Sequence, residues 1–206
     1  ILGGWMFLPQ AAYVARGLPD YDKAVAVTAG VLLATMIFQS GRVFSLRPRL
    51  ADFALLAYCA SGMMASLDNG LGFYDGRSTV IRDVITVAMP YVIGRLYLRT
   101  AQDLMLLAKA MVVAAFIYVP LCWLELRIAP VLHKVVYGFS TNRAVHNMRM
   151  GGWRPNVFMH SGLALGLWMS VSAMLAVWLW MTRSLKRLFG LPAIWLIPVL
   201  LLTALL

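Results

Sequence analysis

Charge is scarce in this sequence, and negative charge scarcest. Only 13% of the 206 residues are charged, with 8 Asp and Glu against 18 Lys and Arg. Soluble domains carry about a quarter charged residues and are about half apolar. Here 62% of the chain is hydrophobic and the mean hydropathy is +0.79, which excludes an ordinary water-facing surface. Cysteine is nearly missing. Cys59 and Cys122 both sit inside apolar runs, with no CxxC and no Cys/His zinc spacing, so they read as small buried hydrophobes. Short alternating segments are absent, which argues against a membrane β-barrel. Residues 1–7 have neither a basic leader nor a cleavage site and do not read as a signal peptide. The net charge of +10 is scattered through loops between apolar runs, so it points to lipid headgroups and phosphate groups, not to nucleic acid.

What the sequence does have is long apolar runs. They predict an all-α fold, a polytopic transmembrane helical bundle of about six to seven spans or part-spans, since about 18 apolar residues cross a bilayer as helix. Spans are expected over 24–38, 51–67, 78–97, 104–124 and 156–181, with part-spans at 1–8 and 191–206. Pro90 should kink the 78–97 span. Residues 125–155 form the longest polar stretch and read as an extracytoplasmic loop. Within it, Pro130 and Gly138 bracket a short helix with an apolar side that would lie on the membrane surface. Residues 1–206 read as a single membrane domain, expected to be a piece of a longer protein because both ends fall inside apolar runs. By parity, the basic loops at Arg42, Arg47 and Arg49, at Arg95 and Arg99, and at Arg183, Lys186 and Arg187 share one side, which the positive-inside tendency places in the cytoplasm.

The stretch RMGGWRPNVFMHSGLALG, residues 149–166, needs the most explaining. Charge beside hydrocarbon is costly, yet Arg149 and Arg154 flank a Gly-Gly turn where the chain re-enters an apolar run. A helix starting near Pro155 would put Asn156 and His160 on one face, four residues apart. Its free N–H groups, with two arginines, would make an anion site, phosphate above all. The plainer reading has the arginines reaching to headgroups and His160 bonded to a neighbouring helix.

Arg82 beside Asp83 is a second ionisable set, read either as functional or as an interfacial pair. A third set comprises Glu125, Arg127, His133, Lys134, Arg143 and His146. Glu125 could serve as a base in a membrane pocket or pair with Arg127. His133 and His146 lack ligand spacing on one helix, so no metal is expected, and no catalytic residue is assignable. Gly162, Gly166 and Ser170 form a small-residue row of the kind that packs helices closely. Trp123, Trp153, Trp178 and Trp180 fall near span ends, as in an interfacial belt.

The helix end LCWLELRIAPVLHKVVYGF, followed by a polar stretch and RMGGWRPNVFMHSGLALGL, resembles the O-antigen ligase and polymerase-like superfamily of bacterial envelope glycan enzymes. The segments NGLGFYDGRSTVIRD and PYVIGRLYLRTAQDL are similar to an exopolysaccharide polymerase branch of it. The likeness covers residues 1–185, the N-terminal and central part of such an enzyme, and is most specific over 125–166. It implies a multi-spanning glycosyltransferase of the bacterial cytoplasmic membrane. Such an enzyme moves a glycan from a polyprenyl-diphosphate carrier to an acceptor sugar on the outer face, without a cofactor. By this likeness Arg149, Arg154 and, less closely, Arg82 would hold the diphosphate, with Asn156 and His160 beside them and Glu125 and Arg127 in support. The family's large C-terminal extracytoplasmic loop, with a further arginine and a histidine, has no counterpart in the sequence. His133, His146 and His160 do not match its position. The piece alone is therefore expected to bind the carrier without turning it over.

Two other classes stand beside this one. A non-catalytic accessory subunit of a larger membrane complex would pack through the Gly162/Gly166/Ser170 face and use the arginines as headgroup anchors. A flippase for an anionic lipid is the third, but no inverted repeat speaks for it.

Overall fold

The computed structural model describes residues 2–13, 21–140, 148–149, 152–185, 187–188 and 191–204. Among these the architecture is all-α apart from two antiparallel strand pairs, each strand two residues long, and one isolated bridge. A short helix, α1 (Leu2–Phe7), opens the described chain. The chain then packs as two compact units, one mainly of residues 11–100 and one mainly of residues 6–10 and 101–206.

In the first unit α2 (Lys23–Phe38) starts at Asp22, whose carboxylate accepts the Val25 N–H at 2.9 Å. This caps one of the donors that a helix start leaves open. After α3 (Ser40–Phe44), α4 (Leu50–Asp68) and α5 (Phe73–Asp83) form a hairpin. The chain reverses at Gly70 and Gly72, whose φ angles of +68° and +89° suit residues without a Cβ. The two helices approach closely. A Cβ at Gly62 would stand 2.7 Å from Thr79 Cγ2, and one at Gly76 would stand 2.5 Å from Met63 Sδ.

Helix continues from 73 to 97 through a π-turn at Val84–Ala88 into α6 (Met89–Tyr97). Pro90, where a kink is expected, directly follows this turn. Proline has no N–H to donate and its ring crowds the carbonyl four residues back. A wider turn lies just before it, closed by the Met89 N–H on the Val84 carbonyl. Thr35 Oγ1 and Tyr97 Oη meet at 2.8 Å, tying α2 to α6.

The second unit is built on three helices, α7 (Ala101–Ile128), α9 (Gly162–Met181) and α10 (Ala193–Ala204), each packed on the other two. Between them come α8 (Leu132–Tyr137), the hairpin of β1 (Met148–Arg149) with β2 (Gly152–Trp153), and the pair β3 (Arg187–Leu188) with β4 (Leu191–Pro192). On α7 the buried residues Val112, Ala115, Tyr118, Cys122 and Glu125 recur every three or four positions and so share one face of the helix. Cys59 and Cys122 are free and buried.

Three boundaries differ from expectation. The helix expected over 78–97 already starts at Phe73. Helix α7 runs through Glu125 to Ile128, so Glu125 belongs to the helix and the polar stretch begins after it. Ala129, at φ +78°, and Pro130 then end it. Helix α9 begins at Gly162, not near Pro155.

Helices α4, α7 and α9 are long and apolar enough to cross a membrane, and α2 is apolar but shorter. Their outer faces carry side chains such as Phe53, Leu56, Leu106, Leu163, Leu167 and Met174, each at least 63% exposed. Apolar area in water costs about 25 cal/mol per Å², so helices faced this way belong in hydrocarbon.

Candidate functional site

The site grows from the end of the buried stripe on α7. Glu125 is 1% exposed, and its carboxylate accepts three backbone N–H groups. Oε2 takes those of Asn156 at 2.8 Å and Val157 at 2.7 Å, and Oε1 takes that of Leu132 at 3.2 Å. One side chain thus binds the start of α8 and the segment after Arg154 to the end of α7. Met159 N–H on the Asn156 carbonyl closes a turn, in which Val157 sits at φ +51°. That angle is unfavourable for a β-branched residue. Two adjacent N–H groups aimed at one carboxylate oxygen require such a bend, and Glu125 holds it.

Beside this knot lies a ring cluster. His133 packs 4.8 Å from Phe139 and 5.0 Å from Tyr137, and Phe158 lies 5.5 Å from Tyr137 and 6.0 Å from Phe7. Tyr118 and Tyr137 donate to the carbonyls of Met6 and Phe7. Nε2 of His133 accepts the Gln10 N–H at 3.1 Å, while Nδ1 lies 2.9 Å from the Phe139 carbonyl. Only the tautomer with the proton on Nδ1 satisfies both partners. This imidazole joins segments of the scaffold.

Arg154 is half-buried and laid along the start of α9. A Cβ at Gly162 would stand 2.6 Å from its Cδ, 2.7 Å from Cγ and 2.8 Å from Nε, and one at Gly166 would stand 3.7 Å from Nη2. The glycine row expected to receive another helix therefore receives an arginine. Ser170, third in the row, donates to the Gly166 carbonyl at 2.8 Å. Gly162→Ala should drive Arg154 off its bed and cost about 1–2 kcal/mol, the usual scale of overpacking. Gly166→Ala meets only ordinary contact and gains helix propensity of up to about 1 kcal/mol. Thermal unfolding in detergent checks the pair. Equal midpoints for the two variants would mean that the Arg154 position does not matter to the fold.

No family model, curated protein or solved structure matches the chain.

The residues singled out in the sequence fall as follows. Arg149 lies in β1, its backbone opposite Gly152 in the hairpin, and its side chain is outside the described residues. Arg143 and His146 also lie outside them. Asn156 and His160 do not share a helix face. Asn156 is buried in the non-helical turn, while His160 is exposed and precedes Ser161, the N-cap of α9. Nor does the segment at Pro155 offer open N–H groups to an anion, because the Glu125 carboxylate already occupies those of Asn156 and Val157. At the true start of α9, Ser161 Oγ accepts the Ala164 N–H at 3.2 Å.

Arg127 is exposed two residues after Glu125, on the far side of α7, and among the described residues the two form no ion pair. Arg82 is exposed on α5 in the first unit. Its neighbour Asp83 turns toward α4, with Oδ2 3.3 Å from where a Gly62 Cβ would be. The knot, the hairpin and Arg154 come together in the second unit. Two features went unread in the sequence. Ser161 before an apolar run is a local cap signal. Asp52, three residues after Arg49, signals the cap of α4, where the Arg49 N–H reaches its carboxylate at 2.7 Å.

Proposed function

We propose that the chain is the membrane-embedded part of a bacterial glycan ligase or polymerase, acting on a glycan carried by a polyprenyl diphosphate. The observation that carries this is the seat of Arg154, half-buried over Gly162 and one residue after the hairpin that bears Arg149. Glu125, the nearest buried acid in the sequence, spends its carboxylate on three N–H groups and so leaves the guanidinium charge for a ligand. In the transfer, an acceptor hydroxyl attacks the anomeric carbon as the bond to the diphosphate breaks. The departing diphosphate gains negative charge, which preorganised guanidiniums stabilise more in the transition state than before it. Asn156 then serves the site through its backbone, and Glu125 and Arg127 support it at the end of α7. His160 joins them as an exposed group before α9, and Arg82, exposed on α5 of the first unit, is kept in the assignment by the family likeness alone.

The same reading sets the chain in the bacterial cytoplasmic membrane as a multi-pass protein of about six to seven spans or part-spans, the remaining helices joining the three long ones. By the positive-inside tendency the loops at 42–49, 95–99 and 183–187 take the cytoplasmic side and the polar stretch after α7 the outer side. The accessory-subunit reading keeps the Gly166 and Ser170 part of its docking row, while Arg154 lies over the Gly162 end. A polyprenyl diphosphate should bind the purified chain saturably in detergent, and the Arg149→Ala/Arg154→Ala variant should bind at least about tenfold more weakly, the loss of one or two charge-assisted contacts. Equal binding by both proteins would make the arginines interfacial anchors and sink the carrier role.

A further inference from the structure

A second basic site stands in the first unit, apart from the carrier reading. The sequence places Arg47-Pro48-Arg49 just before α4 and Arg95 and Arg99 at the end of α6, and each group reads alone as a topology signal. Folding joins them around a cavity of about 520 Å³ whose lining includes Arg47, Arg49, Tyr91, Gly94, Arg95 and Arg99. Small-molecule sites fall at about 300–1,000 Å³.

The arrangement is fixed from behind. Asp52 accepts Arg95 Nη1 at 2.5 and 2.6 Å, the Tyr91 hydroxyl at 2.8 Å and the Arg49 N–H at 2.7 Å. Arg95 Nη2 donates to the Arg47 carbonyl at 2.7 Å, so the pair also holds the Arg47 backbone. Pro48 disfavours helix at Arg47, and Arg49 is extended at φ −125°, ψ 159°. In extended chain, residues two apart point the same way, and both arginines line the cavity. Asp52 matches the charge of Arg95, and Arg47, Arg49 and Arg99 add three further positive charges to the lining. Ser45 adds a hydroxyl to the wall. That hydroxyl donates to the Arg42 carbonyl at 2.8 Å and accepts Arg99 Nη2 at 3.4 Å, so the arginines are left to take the ligand. Guanidinium groups lining one cavity suit a tetrahedral oxyanion, which their forks bind in bidentate fashion.

We infer that this cavity is a binding site for a phosphate group, carried either by an anionic lipid headgroup or by a soluble phosphate compound. Its place at the start of α4, a helix long enough to span, sets it at a membrane face within reach of both.

The test uses the full chain purified in detergent, with inorganic pyrophosphate as the soluble probe and phosphatidylglycerol against phosphatidylcholine as the lipid probes. Calorimetry follows the first and native mass spectrometry the others. Two variants accompany the wild type. Arg47→Gln/Arg49→Gln removes two of the three further charges. Gly94→Leu keeps every charge but fills the cavity, and a Cβ there meets nothing within 4 Å. Wild type should bind one of the phosphate probes at least about tenfold better than phosphatidylcholine, and each variant should lose at least about tenfold, the scale of one bidentate contact. Pyrophosphate binding names a soluble ligand, and phosphatidylglycerol binding without it names a headgroup. Binding of neither probe overturns the site. So does a Gly94→Leu protein that still binds like wild type, because attraction would then lie on the open surface. Should the double variant fail to fold, Gly94→Leu alone decides.

Discussion

Glu125→Ala is expected to unfold the protein at a midpoint about 10 °C below wild type. Three N–H groups, of Leu132, Asn156 and Val157, lose their acceptor at once. A buried donor without a partner costs about 1–3 kcal/mol, and local relaxation brings the sum to roughly 4 kcal/mol. For a chain of this size each kcal/mol moves the midpoint about 2–4 °C. Val157 would also lose what holds it at φ +51°, so the turn should open and release Arg154 from its seat. Glu125→Gln should do less damage. Its one oxygen can keep the Asn156 and Val157 donors, while its amide faces the Leu132 N–H. Thermal unfolding in detergent, with hydrogen exchange at residues 156 and 157, reads both. A catalytic base would behave otherwise, with Glu125→Ala as stable as wild type and only activity lost. An unchanged midpoint in Glu125→Ala would therefore overturn the structural role.

The same residue shows where a sequence can and cannot be read. Helices α2 and α4 lie within one residue of their expected spans, 24–38 and 51–67, because their limits are local: Asp22 caps one and the Asn69-Gly70 turn closes the other. The start of α9 was misplaced by several residues because the deciding group is 31 positions away. Pro155 has the local features of a first helical residue, but Glu125 bends the next two amides toward itself. Backbone donors leave no mark in a sequence, so ion pairing with Arg127 was the partner that charge alone suggested.

Of the glycine row, Gly162 meets a close approach and Gly166 only ordinary contact, and spacing does not say that an arginine fills the first. The arginine cavity was hidden differently. Its charges were visible loop by loop, and side-chain contacts, among them those of Arg95 with Asp52 and the Arg47 carbonyl, bring the loops together.

Gly62→Leu is expected to lower the midpoint by about 6–12 °C, and its reasoning is particular to membranes. Helix α4 buries only 11% of its apolar window, so its attachment rests on few contacts. Those contacts gather on the α5 side, where Gly62 faces Thr79 and Asp83 and Gly76 faces Met63 and Ser66. In lipid no hydrophobic force presses two apolar helices together, and close packing at small residues does the holding. A leucine at 62 would need room where even a Cβ comes within 2.7 Å of Thr79 Cγ2. The helices must part, at about 3 kcal/mol for overpacking of this kind, or about 6–12 °C at this size. Gly30→Leu is the control, since a Cβ at Gly30 meets nothing within 4 Å and adds only apolar surface. Its midpoint should stay near wild type, while protease cleavage in the 69–72 turn should rise in Gly62→Leu alone. Equal behaviour of the two variants would mean that α4 is held by something other than its glycine face.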